Sequence, residues 1–254
     1  MDRGNQVPVI RISEPQKLPS LLKMPGIGTS ATKRRLKQTF IRLLLNIYHR
    51  SMMRPRKVKI LDKTFIVLPG TFSPVWTLTS RFLALNLDVR EGEKVLDVGT
   101  GCGVQAIFAA DVASEVVATD INPIACECAR INALINGVFP KMDVRQGDLF
   151  EPVGGDEKFD LIIFSPPYLD GEPRDMLERS WMCGKGHDVI RRFFREARRY
   201  LREGGRVRMV YSTIADTDIL LQILERYRWD WRVVARKKYP LEEIFVLEAR
   251  PYEG

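Results

Sequence analysis

Residues 95–105, VLDVGTGCGVQ, constrain this chain more than any other stretch. Val95, Leu96 and Val98 form an apolar run interrupted only by Asp97. Gly99, Gly101 and Gly103 follow at alternate positions, and Val104, Ala106, Ile107, Ala109 and Ala110 then recur with a helical period. A buried strand therefore enters a glycine turn and leaves as a helix. Glycine is required where the chain takes positive φ or where a ligand meets the backbone. The amides at the start of the helix form a partial positive pole. The spacing is D-x-G-x-G-x-G, with the acid ahead of the glycines, and not the G-x-G-x-x-G of dinucleotide sites.

A second acid, Asp120, ends the next apolar strand, VVATD, 19 residues after Gly101. Doubly wound sheets present a carboxylate to a ribose diol at this place. Together, Asp97 to Gly103 and Asp120 resemble motifs I and II of the class I S-adenosylmethionine (SAM)-dependent methyltransferases. The resemblance implies SAM as cofactor. The first acid side would hold its methionine end through the loop and water, and the second acid its ribose hydroxyls.

The rest of the chain alternates in the same way. Strands are expected near 94–98, 115–119, 142–145, 159–164 and 205–211, and helices over 103–112, from Pro123 to Asn136, over 188–202 and over 216–227. Asn122-Pro123 reads as a cap and first-turn proline, and Asn136-Gly137 as a helix stop. Strands alternating with helices mean a parallel sheet covered on both faces. Two late strands, 229–236 and 243–250, have no helix between them and should pair antiparallel. The fold class is α/β. The resemblance makes it the Rossmann-like, seven-stranded methyltransferase sheet.

Ahead of that sheet, residues 1–30 hold Pro8, Pro15, Pro19 and Pro25 with little periodicity, and read as extended or disordered. Residues 31–53 read as a helix with Leu36, Phe40, Leu43, Leu44, Ile47 and Tyr48 on one face. The basic residues, Lys33, Arg34, Arg35, Lys37, Arg42 and Arg50, lie mostly elsewhere. Charge is concentrated here. Residues 1–70 carry 15 Lys+Arg against 3 Asp+Glu, while residues 71–254 carry 25 against 29. Two readings follow: a clamp for RNA phosphates, or a solvated helix that packs its Leu/Phe stripe on the main domain. A hairpin is expected over 57–68, turning at Asp62-Lys63. The division is a basic extension, 1–56, and a methyltransferase domain, 57–254.

Three further stretches carry chemistry. Pro69 to Pro74 precedes an amphipathic helix, and by the resemblance Phe72 and Pro74 roof the cofactor. Asp148 and Leu149 end a strand, where open sheets place ligands. In the methyltransferase pattern such a carboxylate accepts from the adenine amino group, and the next amide meets a ring nitrogen. Ser165-Pro166-Pro167-Tyr168 directly follows the buried strand FDLIIF. Adjacent prolines lack amide hydrogens and hold the neighbouring carbonyls rigidly. A carboxamide or exocyclic amine is a poor nucleophile because its lone pair is delocalised. The Ser165 hydroxyl and Pro166 carbonyl are candidate acceptors for its two N–H groups, and Tyr168 offers a stacking face. The work is positioning and electrostatics.

VLDVGTGCGVQAIFAA, ATDINPIACECARINALING, GDLFEPV and KFDLIIFSPPYL resemble the HemK/PrmC class over roughly residues 58–215. Those enzymes methylate the glutamine amide of peptide-chain release factors. Relatives with the same core methylate amino groups of nucleic-acid bases. The resemblance therefore implies a translation release factor or a structured RNA as substrate. The catalytic residues would be Ser165, Pro166, Pro167 and Tyr168. The cofactor would be held by Phe72, Pro74, Asp97, Gly99, Thr100, Gly101, Gly103, Asp120, Ile121, Asn122, Asp148, Leu149 and Ser165. The chain departs from the pattern at Ser165, where Asn, or Asp in many RNA enzymes, is usual. The helical N-terminal domain of bacterial glutamine methyltransferases is also missing. The shorter form resembles archaeal and eukaryotic members, some of which need a small zinc-binding activator subunit. A non-catalytic SAM-binding subunit is the reading from another class.

Trp181 reads as a stacking or lid residue within the polar loop 169–187, His187 as a helix-entry residue or a base, and His49 as solvated. The four cysteines, at 102, 126, 128 and 183, have no metal spacing and read as packed thiols in a reduced, cytoplasmic protein. No apolar run approaches the ~18 residues of a membrane span, and the basic, acid-poor N-terminus leaves an organelle transit peptide open.

Overall fold

The apolar runs VLDV, VVATD and FDLIIF become strands of one sheet. The computed structural model describes residues 31–74, 78–240 and 242–252. The expected extended stretch with Pro8, Pro15, Pro19 and Pro25 lies outside the described residues. Helix α1 spans Ala31–Arg50, and a hairpin follows from β1 (Arg56–Ile60) and β2 (Lys63–Val67). Next come α2 (Leu78–Ala84), β3 (Lys94–Val98), α3 (Val104–Ala110), β4 (Glu115–Asp120), α4 (Pro123–Ile135), β5 (Met142–Gln146) and β6 (Phe159–Phe164). The chain continues through α5 (Asp188–Glu196), β7 (Leu201–Ser212), α6 (Thr217–Arg226), β8 (Trp229–Lys238) and β9 (Glu243–Pro251).

The seven-stranded sheet has the order β5-β4-β3-β6-β7-β9-β8. Neighbours from β5 to β7 run parallel, and β9 runs antiparallel to both β7 and β8. Strand side chains alternate between faces. Val95, Val116, Leu161 and Ile163 enter a core with α2, α3 and α4. Leu96, Val117, Ile162 and Phe164 enter a second core with α5 and α6. Strand order reverses between β3 and β6, and open α/β sheets leave a ligand crevice at such a point, beyond the carboxyl ends of the strands. The glycine turn follows β3 and Ser165 follows β6, so both motifs meet there.

Five expectations change. The helix expected over 188–202 ends at Glu196, and a short 3-10 turn, Ala197–Tyr200, leads into β7 at Leu201. Strand β7 thus starts before the expected 205. It joins β6 through a register shift between Phe159 and Leu161, beside Gly204 at φ +71°. The hairpin turns at Leu61-Asp62, because Ile60 pairs with Lys63.

The largest change is the orientation of α1. Of its expected apolar stripe only Tyr48 packs on the domain; Leu36, Phe40, Leu43, Leu44 and Ile47 are all exposed. The opposite face is docked. Arg34 pairs with Asp216 at 2.9 Å, Gln38 donates to the Ile214 carbonyl, and Arg42 pairs with Glu178 at 2.7 Å. Arg50 pairs with Asp175. His49 is buried, not solvated. Its Nε2 accepts from the Ser73 N–H at 3.0 Å, so the ring hydrogen sits on Nδ1 and donates to the Leu45 carbonyl. Burial pushes its pKa down and keeps the ring neutral.

All four cysteines are buried and free. Among the described residues no helix is long and apolar enough to cross a membrane.

Candidate active site

A cavity of about 1060 Å³ opens at the β3/β6 switch point. The turn after β3 forms one wall. Gly99 and Gly101 take φ of +70° and +57°, and a Cβ at either would meet nothing within 4 Å. Their backbone is therefore bare toward the cavity. Gly103 serves a different purpose. It does not line the cavity, and a Cβ there would stand 3.2 Å from the Ala129 backbone, so it lets α3 approach α4.

Asp97 also stays out of the cavity. On a strand of period two its side chain faces α3. One oxygen accepts from the Thr100 hydroxyl at 2.7 Å and from the Ala106 N–H at 3.1 Å. It fixes the turn from beneath. Complete burial pushes its pKa up to about 7, against those two hydrogen bonds.

Asp120 does face the cavity. Its two oxygens accept from the N–H groups of Gly101, at 2.8 Å, and Asn122, at 2.9 Å. Each keeps a second lone-pair site, enough for a vicinal diol. Burial raises its pKa while the two N–H groups oppose the rise. Ile121 and Asn122 line the cavity beside it. The Asn122 side chain caps α4 at the Ile124 N–H and donates to the Gly70 carbonyl. This bond holds the 69–74 loop, with Phe72 and Pro74, over the same cavity.

The turn after β5 forms the next wall. Asp148 and Leu149 both line the cavity. Leu149 takes φ +52°, and its carbonyl accepts from the Thr119 hydroxyl. Arg192 on α5 donates to the Asp148 carboxylate at 2.7 Å. Arg192 belongs to none of the sequence motifs. Its i,i+4 spacing from Asp188 was the available signal, and that pair is 4.0 Å apart.

Ser165, Pro166, Pro167 and Tyr168 all line the cavity. The Tyr168 ring meets Tyr211 edge-on at 6.2 Å. Burial raises its phenol pKa, and the nearby Glu242 raises it further. Glu242, on the β8–β9 connection, is a second residue that motif reading missed. It lines the cavity and accepts from the Ser212 hydroxyl. Burial raises its pKa against the Ser212 hydrogen bond and Lys37. Trp181 lines the cavity and packs 5.1 Å from His49 and 6.3 Å from Phe72. His187 does not line it. That ring is buried at the entry to α5, without a hydrogen-bond partner on either nitrogen, and burial pushes its pKa down.

The chemistry of this wall set fits SAM. A bare glycine backbone, a carboxylate with spare acceptors, a second carboxylate on the neighbouring loop, and an apolar roof suit a nucleoside joined to an amino acid. The buried Trp181 indole N–H, without a partner, adds an unused donor.

This geometry is that of a class I SAM-dependent methyltransferase. The family model for the methyltransferase small domain matches residues 62–240. The chain belongs to that family and is a SAM-dependent methyltransferase. It is 35% identical over 176 residues to a Methanocaldococcus jannaschii protein with a provisional N5-glutamine methyltransferase name, covering 67% of this chain and 87% of that one. It is 35% identical to a release factor glutamine methyltransferase of Aliivibrio fischeri, over 46% of this chain and 43% of that one. Among solved structures, a T. thermophilus 16S rRNA N2 G1207 methyltransferase with AdoMet and guanosine matches at 25% identity and TM-score 0.60. It covers 78% of this chain and 50% of that one. The E. cuniculi Mtq2–Trm112 complex shares the fold, at 21% identity and TM-score 0.55, over 72% of this chain and 99% of that one.

Proposed function

We propose that this enzyme methylates the side-chain amide nitrogen of a glutamine in a protein of the translation machinery. Residues 57–254 are the catalytic unit, residues 1–56 its extension, and the cytoplasm its compartment. The observation that carries the reading is the position of Ser165–Tyr168, in the same cavity as the bare glycine turn and Asp120. The relatives named for glutamine methylation support it.

Bound SAM supplies an electrophilic methyl group on a sulfonium sulfur. The chain's residues do the rest by orientation. Asp120 takes the ribose hydroxyls, Asp148 the adenine amino group, and the glycine turn the methionine end. The Ser165 hydroxyl and Pro166 carbonyl accept from the substrate N–H groups, which localises the nitrogen lone pair. Tyr168 covers one face of the planar amide. Serine offers one hydroxyl where asparagine offers a carboxamide. Glu242, on the same cavity wall and near Tyr168, is the carboxylate that takes the proton the methylated nitrogen releases. Fixing a weak nucleophile in line with the methyl contributes more here than base strength.

A base amine in RNA is the second reading, favoured by Ser165 and by the likeness to the rRNA enzyme. Against it, three arginines of the expected phosphate clamp, Arg34, Arg42 and Arg50, are paired with carboxylates of the domain.

The test is transfer of labelled methyl from SAM into an extract of cells lacking the enzyme, followed by protease, RNase or DNase. Label lost to protease alone supports the glutamine reading. Label lost to RNase establishes the base-amine reading instead. An extract labelled only after a small activator protein is added identifies the partner and keeps the reading.

A further inference from the structure

We propose that the outward apolar face of α1 is the docking surface for the methyl-accepting protein. The proposal rests on the reading of a protein substrate above. The face contacts an apolar segment of that protein, bordered by acidic residues, next to the glutamine that enters the cavity.

Leu36, Phe40, Leu43, Leu44 and Ile47 are 68%, 57%, 56%, 49% and 60% exposed. Their spacing puts them on one helical face. A soluble chain rarely leaves such a contiguous stripe to water unless something binds it. The usual use of an amphipathic helix, apolar side down on its own domain, is reversed here. The reversal is held by specific pairs: Arg34 with Asp216, and Arg42 with a Glu178 side chain that has no exposure at all.

The stripe is continuous with the catalytic cavity. Leu44 and Ile47 belong both to the exposed face and to the cavity wall, where exposed Leu78 and Met176 join them at the rim. A polypeptide lying on α1 is thereby led to Ser165–Tyr168. Charge indicates its border. Lys33 and Arg35 are exposed on the same helix, while the arginines of the docked face are already paired. An RNA backbone would need rows of free cations in place of five large apolar side chains.

The experiment substitutes Leu36, Phe40 and Leu43 together by Glu, none of which lines the cavity. A second variant replaces the same three by Ala, which preserves helix propensity. A third carries Lys33→Glu and Arg35→Glu. The probes are the protein labelled by the wild-type enzyme and a short synthetic peptide spanning its methylated glutamine. The Glu variant should raise KM for the whole protein by about tenfold or more, as loss of central apolar anchors does. Its kcat, its SAM affinity and its rate on the peptide should stay at wild-type values. The Ala variant should show a smaller rise in KM. The charge variant should change KM less than the Glu variant does.

Unchanged KM for the protein in both apolar variants overturns the proposal while leaving the glutamine reading intact. A wild-type dimer that the Glu variant converts to monomer, with KM unchanged, assigns the face to a second copy and overturns it. A lower unfolding midpoint in the Glu variant, again with KM unchanged, means that the chain covers this face itself and also overturns it. No label in protein with the wild-type enzyme, with or without the activator protein, overturns the glutamine reading and the proposal with it.

Discussion

Arg192 on α5 donates to Asp148 in the loop after β5 at 2.7 Å, joining two elements 44 residues apart at the edge of the cofactor cavity. Both side chains keep about a third of their exposure, so the pair contributes only ~0–1 kcal/mol. Its effect would be orientation: one Asp148 oxygen is occupied, and the other would accept from the adenine amino group. Arg192→Ala should weaken SAM binding by about two- to fivefold. In an Asp148→Ala background the same change should have no effect, because coupled residues are not additive. Calorimetric titration of the four proteins measures this. Equal losses in both backgrounds would mean that Arg192 acts elsewhere.

Asp120, whose oxygens accept from the Gly101 and Asn122 N–H groups, would also hold the ribose hydroxyls. Asp120→Ala removes the diol acceptor and leaves the Gly101 and Asn122 N–H groups without their partner. At ~1–3 kcal/mol for such losses, SAM affinity should fall by about ten- to a hundredfold. Equilibrium binding checks it, and wild-type affinity would refute the ribose assignment.

Asp97 gives a pH signature. Its folded pKa is raised to about 7 from 3.8, so between those values the folded state binds a proton that the unfolded state has released. Stability from this group is therefore greatest in acid and declines as pH rises through that window. Asp97→Asn keeps an oxygen for Thr100 and Ala106 and removes the titration. The unfolding midpoint of the variant relative to wild type should rise from pH 4 to pH 7. A flat difference would show that Asp97 is charged throughout.

Tyr168 touches the substrate and not the cofactor in this account. Tyr168→Ala should lower kcat by about tenfold or more through loss of positioning, with SAM affinity nearly unchanged. Tyr168→Phe should retain most of the activity, since the ring face matters more than the phenol. Single-turnover rates and SAM titration separate the two effects.

The sheet was legible because FDLIIF, VLDV and VVATD are too apolar to lie anywhere but the core. The site was legible because its groups sit at strand ends, and strand ends are read from short local patterns. The face of α1 was not. A helical period says which residues share a face, but which face turns inward depended on Glu178 and Asp216, more than 130 residues away. His49 was misread for the same reason, because its partner is the Ser73 backbone. Arg192 and Glu242 escaped because neither belongs to a motif. Only the packing of α5 and the β8–β9 connection against the cavity reveals them. The alternation of side chains along β3 could have separated Asp97 from the ligand side, since it shares a face with Val95.

The central claim is that the cavity aligns a carboxamide nitrogen with the SAM methyl. The most direct measurement is acid hydrolysis of protein labelled by the enzyme from methyl-labelled SAM. A methylated glutamine amide hydrolyses to glutamate and releases the label as volatile methylamine. Volatile methylamine is the expected product, released at a rate that Tyr168→Ala lowers by about tenfold or more. Label retained in a methylated lysine or arginine, or found in nucleosides and absent from protein, would contradict it.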